Sequence, residues 1–495
     1  DCAYPAARHP GRLTPLSLVP DGPTLRQRLA RLRVDVTPLR TSRDFRRLFA
    51  AGTVFYVGAM VSYVALPYQI YQLTGSNFAV GAMALVELVP LVVFGLYGGA
   101  LADHVDRRRM LVLCGIAQVV LTAGLLGNAL LDDPSVWAIY GIGFLLTIAQ
   151  SLQRPSREAL LPRVVRHDEM AAATAVASLG MQVGTLLGPA LGGVLVATAG
   201  VSWAYAVDVV GLVLATLLFA SMRRYPPTEQ STPPSLDSIV GGIRYAVGRR
   251  DLLGTYVIDM VAMFMAMPIV LFPAFAEEVL ERPGFLGLLY TAESVGTLLA
   301  TLTSGWTTRF HHHGRAVVVA SMCWGGSMAL VGLSPTVWFA LGFLALAGAA
   351  DMISGIFRAT IWNQTIPDHL RGRLAGIEML SYSLGPMGGS ARAGLVADLT
   401  SVRASIVSGG VLCVAGVAAT AAALPSFWRY DSRTDEHATR ERAIRERRAA
   451  EEAAPTPVDA ARSAEARVAA ELAEQRVAAE LAEPLDTTDA GHFPR

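Results

Sequence analysis

The sequence predicts an all-α membrane protein of twelve transmembrane helices, arranged as two pseudo-symmetric halves of six. Three observations carry this reading. The composition is too apolar for soluble domains, about twelve apolar runs have spanning length, and a stretch of the first half recurs in the second. The chain has 495 residues, of which 53% are hydrophobic and 16% charged, and its mean hydropathy is +0.42. Ordinary globular chains carry roughly 25% charged residues. The deficit excludes a string of soluble domains, and the same arithmetic excludes collagenous, disordered and disulfide-rich classes. The net charge of +1 argues against a nucleic-acid protein, whose domains are strongly basic.

A spanning helix needs about 20 mostly apolar residues. Candidate spans lie near 48–70, 78–101, 110–131, 136–153, 171–198, 202–221, 252–275, 285–307, 316–333, 337–357, 374–397 and 403–424. The first 40 residues hold arginines and prolines but no apolar signal-peptide core. The chain begins at Asp1 rather than Met, so its start is expected to lie upstream or to have been trimmed. Cys2, Cys114, Cys323 and Cys413 follow no pairing or metal spacing and read as packing residues. There is no lysine, so every basic residue other than histidine is arginine.

The loops set the expected orientation. Those after the first, third, fifth and ninth spans carry no arginine, and the remaining two on that side carry only Arg282 and Arg403. The alternate loops are basic, with Arg107, Arg108 and Arg109 in one and Arg154, Arg157, Arg163 and Arg166 in the next. The positive-inside rule makes that side cytoplasmic. Both termini and the cell (cytoplasmic) membrane follow as expectations.

Five segments are expected. They are an Arg/Pro-rich N-terminal segment (1–44), a six-helix bundle (45–221), a Pro/Ser-rich linker (222–250), a second bundle (251–428) and an Ala/Glu/Arg-rich tail (429–495). Shifting the second span by 206 positions lays Gly81, Glu87, Gly99 and Arg109 on Gly287, Glu293, Gly305 and Arg315 without a gap. Gly188–Pro189 in the fifth span recurs as Gly385–Pro386 in the eleventh. Such repeats are a common transporter plan, with the substrate near the midplane between halves. The tail contains RVAAELAE twice. It reads as a solvated helical tail, with a docking helix as the alternative.

Two motifs stand out. After the second span, Gly99, Asp103, Asp106, Arg107, Arg108 and Arg109 form G-x-x-x-D-x-x-D-R-R-R. In the fifth span, Gly180, Gly184, Gly188, Pro189, Gly192 and Gly193 form G-x-x-x-G-x-x-x-G-P-x-x-G-G. Glycines four apart let a neighbouring helix approach closely, and proline frees a carbonyl. The bland readings are a charged stop-transfer loop and generic helix packing. With these motifs the chain resembles the major facilitator superfamily, whose motif A and antiporter motif C they match. It departs from motif A at His104 and Asp106. RPSREALLPRVV, LFPAFAEEV and QTIPDHLRGRLAG are similar to the enterobactin-exporter and macrolide-efflux group, from about residue 45 to 424. The resemblance implies the major facilitator fold. It also implies a cytoplasmic latch in which Asp103 meets the start of the eleventh span or pairs with Arg154 or Arg157. The implied activity is proton-driven export of a siderophore or another mid-sized compound, with multidrug or macrolide efflux as the alternative. A non-transporting sensor or scaffold is a more distant one.

Ionisable groups inside spans cost about 2.5–3.5 kcal/mol each at a helix centre, so they point to function or to paired structure. Burial favours the protonated form of a carboxylic acid, which a proton carrier requires. Glu87 is the first candidate for proton coupling, followed by Asp259, Glu293 and Asp351; a cavity-facing or structural role is the alternative for each. Asp208 and Glu378 lie nearer span ends and are expected to reach water. Arg358 and Arg392 are expected to contact an anionic substrate or to neutralise the acids. His311–His313 read as polar filler. No HExxH, P-loop or nucleophile elbow occurs, so no enzyme, cofactor or metal site is predicted. The expected partners are a small-molecule substrate, protons and lipid, with no nucleic acid and a monomeric chain.

Overall fold

The computed structural model describes residues 35–226, 244–245, 248–367, 370–453 and 465–476, with the side chains at 96–104, 371–373, 375–377, 379–380 and 448–453 left undescribed. The described residues are helical, without strands. The long helices are α1 (Arg43–Thr74), α2 (Asn77–His104), α3 (Arg107–Ala129), α4 (Val136–Val164), α5 (Met170–Ala199), α6 (Val201–Ala220), α7 (Arg250–Ala266), α8 (Leu286–Leu302), α9 (His313–Leu333), α10 (Val337–Thr365), α11 (Arg371–Leu399), α12 (Val402–Ala423) and α13 (Glu436–Ala453). Among the described residues, eleven helical segments are long and apolar enough to cross a membrane. The 29-residue α11 stands between two of them.

Local chemistry sets many of the boundaries. Ser42 Oγ accepts from the Phe45 N–H at the start of α1, and Gly75, at φ 62°, ends that helix where a side chain would be strained. Asp106 accepts from the Arg109 N–H to start α3, and Ser401 from the Ala404 N–H to start α12. Each cap satisfies an N–H that a helix end leaves without an internal partner.

Packing repeats with a shift of six. Helix α1 lies against α5 and α6, α2 against α4, and α3 against α4 and α6. In the second half α7 lies against α11 and α12, α8 against α10, and α9 against α10 and α12. The halves meet where α2 packs on α11 and α5 on α8, two contacts that the same shift exchanges. The repeat is visible at the residue level. A Cβ on Gly81 would lie 2.6 Å from the Ser390 carbonyl, and one on Gly287 would lie 2.7 Å from the Pro189 carbonyl. The paired glycines therefore serve the same close approach in the two interfaces. Large apolar side chains such as Leu113, Val120, Val210, Leu217 and Leu302 are exposed on the outside, as a lipid-facing surface requires.

Three expectations are corrected. The seventh span is not continuous: α7 ends at Ala266, Met267 is extended, and the chain resumes through short 3-10, α and π turns to Val279. Pro268 lacks the N–H needed to continue the ladder. The packed second half also continues past residue 428, since Tyr430 and Ala438 are buried and α13 lies against α10, where Arg445 donates to the Asn363 carbonyl at 2.6 Å. The histidines are the seat of this tail. The His311 carbonyl accepts from Ser432 N–H at 3.1 Å, His312 Nδ1 lies 3.4 Å from Asp431, and His313 Nε2 lies 3.0 Å from the Phe310 carbonyl. The Asp431 carboxyl is held below its ordinary value, first by the Arg433 N–H it accepts and then by the neighbouring His312 and His311.

Phe427 anchors the tail. It is fully buried, pressed against Gly254 and Gly314. Phe427→Ala is expected to cost about 3–5 kcal/mol, read as a lowered midpoint of thermal unfolding in detergent.

Candidate functional site

The cross-half hydrogen bonds cluster at the end of the bundle away from the arginine-rich loops. Asp398, at the end of α11, caps α2 of the other half: it accepts from Ser76 Oγ at 2.6 Å and from the N–H groups of Asn77 and Phe78 at 2.8 and 3.0 Å. A carboxylate at a helix N-terminus satisfies unpaired N–H groups and meets the positive end of the helix dipole. Nearby, Tyr71 donates to Glu278, and Gly193 meets Gly287. These contacts hold that end shut. Asp398→Asn is expected to loosen it by about 0.5–2 kcal/mol, a two- to thirtyfold shift in population. A cysteine at Ser390, with native cysteines removed, then reacts faster with an impermeant thiol reagent applied from that side.

Behind this closure lies a cavity of about 430 Å³ between the halves, within the range of small-molecule sites. The N-terminal half contributes Glu87, Asp208, Gln118 and Tyr63, and the C-terminal half Met267, Tyr382 and Met387. Met267 belongs to the break in α7. That break leaves carbonyls without helical partners, and Arg392 fills the need: it donates to the Phe264 and Met265 carbonyls at 3.1 and 2.6 Å. Irregular backbone inside a membrane survives only where such partners exist.

Of the four candidate acids Glu87 lines the cavity, and Asp259, Glu293 and Asp351 belong to the C-terminal half outside its described lining. Tyr63 stands in the electrostatic field of both Glu87 and Glu293, and Glu293 in that of Asp351. Asp351 lies 3.6 Å from Arg358, which also pairs with Asp259. Asp259 and Arg358 are 3% and 4% exposed, and Ser381 donates to the other Asp259 oxygen at 3.1 Å. The structure thus places Asp259 and Asp351 beside Arg358 within the C-terminal half, where Arg358 is counter-ion to both, and Glu87 separately in the cavity lining. Asp208 departs from expectation. It is 4% exposed, deep in the first half, where Ser62 donates to one oxygen. An acid alone in the run WAYAVDVVGLVLATLLFA is a signal that its distance from the span end obscured. Tyr63, Gln118 and Ser62 carried no comparable signal.

The motif residues take structural positions. Gly180, Gly184, Gly188 and Gly192 face α1, and a Cβ on Gly192 would lie 2.9 Å from the Val61 carbonyl. Pro189 and Gly193 face α8. Asp106 caps α3, Arg107 donates to the Ala159 carbonyl at 2.6 Å, and Arg108 donates to the Ala220 carbonyl. Arg109 is exposed. Arg154 pairs with Glu158 at 2.9 Å, and Arg157 lies over Phe55 and Tyr56 at 5.4 and 5.1 Å. Gly99 and the Asp103 side chain lie outside the described side chains. Among the described residues no group of three or more His, Cys, Asp or Glu could hold a metal ion.

A family model described as "Transmembrane secretion effector" matches residues 34–453. The enterobactin exporter EntS of Citrobacter koseri is 29% identical over 389 residues, covering 78% of this chain and 92% of that protein. The enterobactin exporter EntS of Escherichia coli is 28% identical with the same coverage. Among solved structures, the nucleoside transporter NupG superposes with a TM-score of 0.62 at 12% identity, over 79% of this chain and 100% of that one. A bacterial homolog of the lysosomal transporter Spinster, inward-facing and unoccupied, gives 0.57 at 15% identity over 78% and 95%. These two likenesses concern the fold alone. The sequence match runs through both halves of the bundle and the cavity they enclose, and so the chain is a multi-pass membrane transporter of the major facilitator fold that belongs to the transmembrane secretion effector family.

Proposed function

We propose that this transporter is a proton-coupled exporter that moves a mid-sized compound out of the cell by alternating access. The arginine-rich loops and both termini face the cytoplasm. The observation that carries the proposal is the Glu87 acid in the wall of the cavity between the halves, with the Asp259–Arg358–Asp351 cluster buried within the C-terminal half. A buried ion pair that loses one partner's charge becomes costly. Protonation of Asp259 therefore changes the energy with which α7 is held to α10 in the C-terminal half. The closure at the arginine-poor end is the other half of the cycle, since Asp398 and Glu278 hold there by hydrogen bonds that can be exchanged for water.

The test is transport by the purified protein in vesicles. An imposed pH gradient is expected to drive accumulation of the exported compound, and a protonophore to abolish it. The names of the relatives make enterobactin the first compound to assay. Transport indifferent to the gradient would overturn proton coupling.

A further inference from the structure

Arginines converge where the tail turns back on the bundle. Ser432 is buried, and its N–H donates to the His311 carbonyl at 3.1 Å, which clips the tail to the turn before α9. Ten residues on, Arg442 in α13 reaches back and donates to the Ser432 carbonyl at 3.2 Å. Arg433 donates to the ring Nε2 of His311. Both guanidiniums thereby line one pocket of about 450 Å³, together with His311. The pocket lies between the tail, the end of the 3-10 turn Ser304–Arg309 and the second half of α10.

The charge of this pocket is one-sided. Among the described residues no aspartate or glutamate lines it. The carboxyl nearest in sequence, Asp431, lies against His312 at 3.4 Å and lines a separate pocket with Asp251 and Asp435. Arg433 and Arg442 are exposed, so both can meet a solute. The acceptors they hold, an imidazole nitrogen and a carbonyl, carry no charge to cancel theirs. Thr307, Thr308 and Thr360 also line the pocket, but their hydroxyls donate to the Ser304, Gly305 and Ile356 carbonyls. What the wall offers an incoming group is therefore guanidinium. Two arginine forks in one wall suit a phosphate, whose oxygens take paired N–H donors. The pocket also sits at headgroup depth. Leu302, at the end of α8, is exposed to lipid. Trp306 follows it, half-exposed, and its ring lies 6.0 Å from that of Phe357 in the pocket wall. Tryptophan is enriched at the membrane–water boundary.

We propose that this pocket binds a phosphate-bearing anion, gripped by Arg433 and Arg442 against the turn that carries His311. Bound there, the anion holds both ends of the tail's turn in their seat on the bundle. A lipid headgroup and a soluble phosphate share this chemistry, and basic clusters at a membrane surface attract anionic headgroups. The pocket shares no lining residue with the cavity between the halves, so its occupancy does not require the transported compound.

The test is calorimetric titration of the full chain in an uncharged maltoside detergent at fixed ionic strength. The titrants are dihexanoyl phosphatidylglycerol, dihexanoyl phosphatidylcholine and inorganic phosphate, each with protein-free detergent as background. Phosphatidylglycerol, inorganic phosphate or both are expected to bind saturably, at least about tenfold more tightly than zwitterionic phosphatidylcholine. Arg433→Gln combined with Arg442→Gln is expected to weaken that binding by at least about tenfold. Arg429→Gln combined with Arg440→Gln removes the same charge from the same tail outside this pocket, and is expected to change it by less than about twofold. A clear preference for phosphatidylglycerol over inorganic phosphate assigns the site to a lipid headgroup, and equal or tighter binding of inorganic phosphate assigns it to a soluble phosphate. Three outcomes overturn the proposal: no saturable binding of either anion, phosphatidylcholine binding as tightly as both, or equal losses in the two double variants. The comparison of titrants on the unmodified chain stands by itself should a variant fail to fold.

Discussion

Glu87→Gln is expected to reduce pH-gradient-driven export to the level of empty vesicles, while the protein still reaches the membrane and still exchanges compound down its own gradient. The substitution keeps the size and hydrogen-bonding capacity of the side chain and removes only its ability to take up and release a proton. Glu87 lines the cavity and shares the field around Tyr63 with Glu293. A protonation change at Glu87 is therefore made in the space between the two halves. Glu293→Gln, at the equivalent repeat position, is the informative partner. If the pair acts as a relay, both variants lose coupling and both retain exchange. Unchanged pH-dependent transport by Glu87→Gln removes it as the carrier and moves the question to Asp351.

Arg358→Gln is expected to destabilise the protein by about 3–5 kcal/mol, because it leaves the Asp259 charge buried without its partner. Asp259 is 3% exposed and among the described residues keeps Ser381 as its remaining donor, so bulk water does not replace the guanidinium. Pairing Arg358→Gln with Asp259→Asn is expected to restore most of the loss, since two neutral amides carry no unpaired charge. The coupling energy of that double-mutant cycle, measured by unfolding in detergent, reports the pair directly. A role for Arg358 in substrate contact alone predicts a different result, with stability unchanged and transport lost. Stability unchanged in the single variant would therefore reject the counter-ion role.

The span positions and the repeat were legible because their causes are local or periodic. Hydropathy over about 20 residues marks a spanning helix, and Ser42, Gly75, Asp106 and Ser401 mark ends through bonds to near neighbours or a local backbone conformation. The gapless match of Gly81 to Gly287 announced two related interfaces, and the structure shows both as close backbone approaches. The break in the seventh span was harder to see. Pro268 hinted at it, but an apolar run with a proline can also be a kinked continuous helix. What holds the break open is Arg392, 127 positions away in sequence. The histidines misled for a similar reason: their partners Asp431 and Ser432 lie more than a hundred residues downstream.

The sequence alone determined that this chain is a twelve-span bundle with an internal repeat and a short set of intramembrane charges, since each of these follows from apolar length, periodicity and the cost of burying charge. Only the tertiary structure decided how those charges are used. It joined Arg358 to Asp259 and Asp351, spent Arg392 on the α7 carbonyls, and left Glu87 and Asp208 facing a cavity with no base in its described lining. Pairing of this kind depends on which helices pack together, and twelve helices of similar apolar character do not encode their neighbours in local pattern. The low charge content that identifies a membrane protein thus becomes, once folded, a cavity whose described charged lining is two acids.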